Sequence, residues 1–266
     1  GASAQQRRRS AVPSVVAQLA RDPSKTICIV RTRQPMDLSV YRERLGRVVC
    51  NEDERRVPTG RWFAENTFHC HEFKELPALE EMKRRQDLTV SLVVVSHGIE
   101  ETLPPLINAA RHALMQHHSL VDEIIVIDVA GHVAGRSQSL GVPVFRQEDI
   151  LPEMGNYAGR GEALWKSLAV TKGDIIVWTD GDVRNFHPRI VYGLLGPLLQ
   201  NPDIRYVKGF HHRPLAYDPA QTLAGGREVT ELVVRPLFNV MHPELSMIVR
   251  PLSREHAGRR DALEQV

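Results

Sequence analysis

The feature that most constrains the fold is an alternation of short apolar runs with amphipathic stretches, which begins at about Thr89. The run TVSLVVVS is rich in β-branched residues and is too apolar for a strand with one face in water, so we predict a buried central strand. Apolar residues then recur at helical spacing, at Leu103, Leu106, Ile107, Ala110 and Leu114. This alternation is typical of crossover units on a mostly parallel sheet with flanking helices, an α/β fold.

The segments that follow continue the same alternation. The further predicted strands are EIIVIDV, VPVFRQ, DIIVWTD and IRYVKGFHHRP, in that order. Between the second and third of these, GEALWKSLAVT is predicted as a helix. Its apolar stripe is expected at Ala163, Leu164, Leu168 and Ala169.

The pattern before Thr89 is less regular. KTICIVRT is compatible with a strand and SVYRERLGRVV with a helix, and LPALEEMKRRQ is compatible with a helix that has a proline in its first turn. We therefore expect residues 1–86 to form an N-terminal arm that packs on a main domain of residues 87–266.

Charge and cysteine content narrow the classes of partner. Lys and Arg nearly balance Asp and Glu, with a formal net charge of +2, so we expect neither a nucleic-acid partner nor a membrane surface. No apolar run approaches membrane-spanning length, and the first ten residues lack the apolar core of a signal peptide. The three cysteines form no C-x-x-C pair, which fits a protein of the reducing cytoplasm.

Two carboxylates follow directly after an apolar strand in the stretch GDIIVWTDGDVRNFHP, at Asp180 and Asp182. Ligands of open parallel sheets bind beyond the carboxyl ends of the strands. Two adjacent carboxylates are stable in ionised form when a cation lies near them, and Mg²⁺ or Mn²⁺ suits oxygen ligands. Gly181, between them, allows close approach of a ligand. The alternative interpretation is a plain turn in which aspartate caps the next helix.

Five long segments of the sequence are distinctive: GRWFAENTFHCHEF, GRGEALWKSLAVTKGDIIVWTDGDVRNFHPRIVYGLLGPLL, YVKGFHHRPL, GGREVTELVVRPLF and HPELSMIVRPLSREHAGRRDALEQV. Together they resemble the glucosyl-3-phosphoglycerate synthases of actinobacteria and their mannosyl-using relatives. The resemblance covers roughly residues 60–266. The D-x-D motif after an apolar strand, together with an earlier strand that ends in Asp128, matches the GT-A, Rossmann-like layout of nucleotide-sugar glycosyltransferases.

The resemblance implies a retaining hexosyltransferase. Glucose would pass from a nucleoside diphosphate glucose, first of all UDP-glucose, to 3-phosphoglycerate and give glucosyl-3-phosphoglycerate. It implies Mg²⁺ or Mn²⁺ as the cofactor, held by Asp182 with the help of Asp180, and these two residues are also the expected catalytic ones. It further implies a cytoplasmic homodimer whose partners are the nucleotide sugar and 3-phosphoglycerate.

The resemblance also implies which residues bind the donor. The expected set is Val95, Ser96, His97, Gly98, Ile99, Glu100, Asp128, Val129, Arg160, Asp180 and Gly181. Arg160 stands where the family carries the lysine of Gly-Lys-Gly, and its fork of N–H donors suits phosphate or ribose oxygens. The alternative for Arg160 is a solvated charge at a helix start.

The matching acceptor segment is Arg227, Glu228, Val229 and Thr230, just before a predicted helix start that suits a phosphate. The family prefers Gly-Arg-Val-Thr, so Glu228 occupies the basic position and would repel a phosphate, whereas Arg227 supplies the charge one residue earlier. The alternative is an ordinary helix start with an exposed glutamate.

Three departures from the family pattern keep other functions open. The loop from Val95 replaces Pro-Ala-Leu-Asn-Glu, VAGHVAG replaces the Ser-Gly-Ser-Thr-Asp that follows Asp128, and the sequence ends at Val266, before the Gly-Tyr-Gly-Val-Glu loop and the metal-binding histidine of relatives. The alternatives are a mannosyl-3-phosphoglycerate synthase that uses GDP-mannose and a non-catalytic nucleotide-binding relative. No G-x-G-x-x-G follows the first strand, which argues against a dinucleotide dehydrogenase.

Overall fold

The computed structural model describes residues 26–31, 66–98, 101–133, 135, 137–157, 159–184, 186–210, 229–241, 248 and 250–265. Their centre is one eight-stranded sheet. Its strands are β1 (Thr26–Arg31), β2 (Thr67–His69), β3 (Val90–Ser96), β4 (Glu123–Asp128), β5 (Val144–Arg146), β6 (Ile175–Asp180), β7 (Ile204–Phe210) and β8 (His256–Arg259). They lie in the order β2-β1-β7-β8-β6-β3-β4-β5.

The sheet is parallel except for β8. Strand β8 runs antiparallel to both of its neighbours, β6 and β7, and the remaining pairs are parallel. The predicted mostly parallel sheet is therefore confirmed. Seven strands end at the same edge, and the turns after β3, β4 and β6 meet there.

Helices cover both faces of the sheet. They are α1 (Leu76–Arg85), α2 (Leu103–Arg111), α3 (Ser137–Leu140), α4 (Arg160–Val170), α5 (Arg189–Gln200), α6 (Arg235–Met241) and α7 (Arg260–Leu263). Alternate residues of β3 face opposite cores: Leu92 and Val94 share a cluster with residues of α2 and α5, whereas Val93 and Val95 pack with Ala163 of α4. Every residue of β3 is buried, as the β-branched run predicted.

The predicted elements before Thr89 have mixed outcomes. Strand β1 and helix α1 confirm the strand over KTICIVRT and the helix over LPALEEMKRRQ, which has proline in its first turn. The helix predicted over SVYRERLGRVV lies outside the described residues. Strand β1, from the proposed N-terminal arm, pairs in parallel with β7. The division at residue 86 stays a prediction.

The apolar stripe predicted for α4 is partly wrong. Ala163 is buried, but Ala169 is exposed, and Lys166 and Ser167 are buried instead. Polar partners explain this, because Lys166 Nζ donates hydrogen bonds of 3.0 and 2.8 Å to the carbonyl oxygens of Gln147 and Gly155. Ser167 Oγ accepts a hydrogen bond of 2.9 Å from the indole of Trp178. Satisfied polar groups can replace apolar ones at a helix–sheet interface.

Strand β8 has no counterpart among the predicted strands. Its four residues, HAGR, contain no apolar run. The strand forms because it completes the backbone hydrogen bonding of β6 and β7. Among the described helices, none is long and apolar enough to cross a bilayer.

Candidate functional site

Asp180 and Asp182 lie on the turn where β6 ends. The backbone N–H of Gly181, between them, donates a 2.8 Å hydrogen bond to the carbonyl oxygen of Val95 in β3. The hydroxyl of Thr102 donates at 2.6 Å to the carbonyl oxygen of Gly181. The neighbouring strand and the residue just before α2 thus hold the acidic turn from both sides.

The two carboxylates differ in exposure. The side chain of Asp180 is 2% exposed and that of Asp182 is 59% exposed. Asp180 therefore belongs to the floor of the site, and Asp182 faces solvent at its mouth. Only the second carboxylate is freely accessible to a ligand that arrives from solution.

A single nitrogen joins the pair. Arg254 Nη1 lies 2.8 Å from Asp180 Oδ2 and 3.2 Å from Asp182 Oδ2. The two oxygens therefore converge on one position that already holds a positive charge. Burial alone lowers the pKa of Arg254, but the charges of both aspartates outweigh it and raise that pKa above its ordinary value.

Arg160 supplies a second positive charge. Its Nε donates a 2.8 Å hydrogen bond to Asp180 Oδ1, and its Nη2 donates to the carbonyl oxygen of Arg254. The side chain is only 21% exposed, so the alternative of a solvated charge at the helix start is wrong. Gly159, which precedes α4, has φ +136°, a conformation that side chains rarely adopt. That glycine lets the chain turn into the helix so that Arg160 meets Asp180.

The main chain around Arg254 is fixed by three side chains. Besides the contact from Arg160, His256 Nδ1 lies 3.0 Å from the Arg254 carbonyl oxygen, and Lys208 Nζ donates at 2.8 Å to the carbonyl oxygen of Ser253. A carbonyl oxygen only accepts, so the imidazole proton is on Nδ1. Burial and the nearby Lys208 and Arg160 lower the pKa of His256, which keeps the ring neutral at pH 7. Burial chiefly lowers the pKa of Lys208 to about 8.

Sequence analysis missed Arg254 because it missed β8. His256 pairs with Trp178 across the antiparallel strands, and this register brings the segment before His256 alongside the carboxyl end of β6. No apolar periodicity marks HAGR as a strand. The remaining signal is SRE, a charged segment just before it, which by itself does not indicate a site.

The predicted donor loop after β3 is described only in part. Ser96 Oγ donates a 2.9 Å hydrogen bond to the carbonyl oxygen of Gly98, and the Ser96 carbonyl oxygen accepts one of 2.9 Å from Val129 N–H. His97 is exposed. This places Val95 to Gly98 and Val129 at the same edge as the acidic pair. Residues 99 and 100, predicted as Ile99 and Glu100 of the donor site, lie outside the described residues.

Asp128 has a structural task in the loop that follows β4. It is 1% exposed. One oxygen accepts hydrogen bonds from the N–H groups of Gly131 and His132 at 2.9 and 3.2 Å, and the other accepts from Val133 at 2.7 Å. These contacts shape the loop after Val129. The predicted role of Asp128 in donor binding stays a prediction.

The acceptor segment is also described in part. Arg227 and Glu228 lie outside the described residues, whereas Val229 is exposed and Thr230 is buried. Thr230 begins a π-helical turn, Thr230–Val234, that continues directly into α6. Val229 is itself helical, and the residues before it lie outside the described residues, so the predicted helix start stays a prediction.

The carboxylate pair is the place in this site where a divalent cation fits. Among the described residues, no group of three or more His, Cys, Asp or Glu side chains is arranged to hold a metal ion. Two oxygens that share one cationic nitrogen nevertheless form a small anionic cradle. Carboxylate oxygens are the ligands that Mg²⁺ and Mn²⁺ prefer, and Mg²⁺ commonly uses one or two of them beside phosphate and water.

Several known proteins are similar to this chain in sequence and in fold. No protein-family model matches the chain. The glucosyl-3-phosphoglycerate synthase of Petrotoga mobilis is 46% identical over 202 residues, 75% of this chain and 62% of that protein. The solved mannosyl-3-phosphoglycerate synthase of Rubrobacter xylanophilus is 36% identical with a TM-score of 0.67, over 76% of this chain and 63% of that one. Glucosyl-3-phosphoglycerate synthase of Mycobacterium tuberculosis, solved with Mn²⁺, UDP and phosphoglyceric acid, is 38% identical with a TM-score of 0.59, over 70% and 60%.

The mostly parallel sheet with flanking helices is the GT-A fold of nucleotide-sugar glycosyltransferases. Within that class, the chain is a homologue of the glucosyl-3-phosphoglycerate synthases and mannosyl-3-phosphoglycerate synthases, which confirms the resemblance in its sequence. The chain spans about three fifths of the length of these relatives.

Proposed function

We propose that this chain transfers glucose from UDP-glucose to 3-phosphoglycerate with retention of anomeric configuration, and so gives glucosyl-3-phosphoglycerate. The observation that carries the proposal is the convergence of Asp180 and Asp182 on one cation position, at the carboxyl edge of a sheet shared with glucosyl-3-phosphoglycerate synthases. Ligands of open α/β sheets bind at this edge.

Asp182 and Asp180 are the residues that would hold Mg²⁺ or Mn²⁺. The cation supplies positive charge where the leaving diphosphate gains negative charge. The exposed Asp182 is the primary ligand, and the buried Asp180, held by Arg160, fixes the turn that presents it. The Mycobacterium tuberculosis relative, solved with Mn²⁺ and UDP, supports this assignment.

The donor would lie between the turns after β3, β4 and β6. Gly181 has no side chain that would obstruct the donor. Arg160, at the start of α4, directs its guanidinium at Asp180. Its fork of donors suits diphosphate or ribose oxygens. The segments Val95–Glu100 and Asp128–Val129 flank this space and would contact the base and ribose.

The acceptor phosphate would lie at residues 227–230. Residues 229–241 are helical, and the first N–H groups of a helix would attract an anion there. Arg227 would supply the positive charge, and Glu228 would oppose it. The relative that was solved with phosphoglyceric acid supports this class of acceptor.

A mannosyl donor is the second candidate. The Rubrobacter xylanophilus structure that shares this fold at a TM-score of 0.67 is a mannosyl-3-phosphoglycerate synthase. GDP-mannose would then replace UDP-glucose, with the same cation and the same acceptor. A third candidate, a nucleotide-binding protein without transferase activity, is favoured by the two arginines that neutralise the acidic pair.

We also propose a cytoplasmic homodimer, as the resemblance implies. From the change in sequence pattern near Thr89 we propose an N-terminal arm of residues 1–86 and a nucleotide-sugar binding and acceptor domain of residues 87–266. Size-exclusion chromatography with light scattering tests the dimer. A mass equal to one chain of 30.0 kDa would contradict it.

The proposed function is tested by incubating the chain with 3-phosphoglycerate and MgCl₂ and, in parallel, UDP-glucose, GDP-glucose or GDP-mannose. We expect a phosphorylated glycoside by mass spectrometry with UDP-glucose and none when Mg²⁺ is chelated. Product only with GDP-mannose would favour the mannosyl activity. Binding of UDP with no product from any donor would favour the non-catalytic protein.

A further inference from the structure

Arg254 is the residue at the acidic pair that the proposed transfer does not use. Its Nη1 lies within hydrogen-bonding distance of both Asp180 and Asp182. No other described side chain contacts Asp182 in an ion pair. The guanidinium therefore occupies the space beside the two carboxylates that would hold the divalent cation.

The main chain of Arg254 is held in place, but its side chain is not enclosed. Side-chain contacts from Arg160 and His256 reach its carbonyl oxygen, and Lys208 holds the preceding Ser253. The Arg254 side chain itself is 41% exposed. The guanidinium can therefore swing into solvent while its backbone anchor stays intact.

The Arg254 guanidinium and a divalent cation cannot both lie beside Asp180 and Asp182 without strong electrostatic repulsion. An ionised guanidinium and a divalent cation within a few ångströms of each other repel, and Arg254 contacts one oxygen of each carboxylate that would hold the metal. Arg160 does not compete in the same way, because it binds the other oxygen of Asp180.

We propose that Arg254 is an internal counter-cation of the donor site that competes with the divalent cation for Asp180 and Asp182. In the metal-free protein it neutralises the pair, and it leaves the pair when the cation binds. This inference rests on the proposed metal-dependent function. It makes Arg254 a residue that lowers the affinity of the site for the metal.

The test is a titration of the 266-residue chain with Mn²⁺, followed by electron paramagnetic resonance of free Mn²⁺. Arg254→Gln should bind Mn²⁺ about tenfold more tightly than the unaltered chain, since a charge-assisted contact to the ligands has been removed. Arg254→Lys should lie between them, because it keeps the charge but loses the fork. Melting temperatures of the same variants should show a larger rise on addition of Mn²⁺ for Arg254→Gln.

Two matched variants separate the possible outcomes. Arg205→Gln removes the same charge at the amino end of β7, away from the acidic edge, and should leave Mn²⁺ affinity unchanged. Asp182→Asn should abolish Mn²⁺ binding. Equal or weaker binding by Arg254→Gln, with loss in Asp182→Asn, would overturn the competition and leave the metal site standing. Absence of binding in every protein would overturn both.

Discussion

Arg160 Nε donates a hydrogen bond of 2.8 Å to Asp180 Oδ1, and this contact joins the first residue of α4 to the last residue of β6. The pair links a helix start to a strand end across the edge where ligands of such sheets bind. Because the Asp180 side chain is almost fully buried, the contact is part of the framework of the site.

Asp180→Ala should destabilise the fold. It leaves Arg160 without its carboxylate partner in a largely buried position, and we expect the free energy of unfolding to fall by roughly 2–3 kcal/mol. Asp182→Ala, at the exposed position, should change it by less than about 0.5 kcal/mol. Urea denaturation of both variants measures this, and equal losses would contradict the distinction between floor and mouth.

Asp182→Asn should remove cation-dependent nucleotide binding and leave the fold intact. The neutral amide keeps the shape of the side chain but loses the charge that a divalent cation needs, so transfer should fall by at least about 100-fold. Calorimetric titration with UDP in the presence and absence of Mg²⁺ measures the binding. Asp203→Asn, an exposed aspartate in the turn before β7, is the control. Unchanged binding by Asp182→Asn would show that the acidic pair is only a turn.

Lys208 should make stability depend on pH. Its folded pKa is lowered to about 8 from 10.5, so between these values the unfolded chain binds more protons than the folded chain, and stability rises with pH. Below pH 8 the cost of burying the charged Lys208 amine is fully present. We expect the free energy of unfolding to rise by roughly 2 kcal/mol between pH 8 and 10 relative to Lys208→Met, which lacks the titrating amine. Parallel slopes in the two proteins would contradict the shift.

Gly196 should not tolerate a methyl group. A Cβ at this position in α5 would overlap the ring of Phe73, which is buried against the helix. Gly196→Ala should therefore lower the melting temperature, at a cost of about 1–3 kcal/mol. The double variant Gly196→Ala, Phe73→Leu should recover part of that loss, since the smaller side chain makes room. A double variant less stable than the sum of its parts would argue against direct contact.

Sequence patterns predicted the elements that bury many apolar side chains. The runs that became β3 and β6 are continuous and β-branched, and the residues of α2 predicted from helical spacing are buried. Hydrophobic spacing placed Ala169 in the core wrongly, because the contacts of Lys166 with distant carbonyl oxygens leave no trace in local periodicity.

The candidate site was likewise predicted only in part from the sequence. Asp180 and Asp182 were found because they end an apolar strand, whereas Arg254 reaches them only through the pairing of β6 with β8. Such a contact joins residues 74 positions apart. Local spacing does not report a partner at that separation.

The position of β8 has a consequence for how the chain is made. This strand, close to the carboxyl end of the described residues, is inserted between β6 and β7 and hydrogen-bonds to both. Until residues 256–259 have been synthesised, β6 and β7 lack the strand that lies between them, and their backbone groups are open to other chains. The centre of the sheet can therefore close only after residues 256–259 have been made, although β6 and β7 are complete earlier in synthesis.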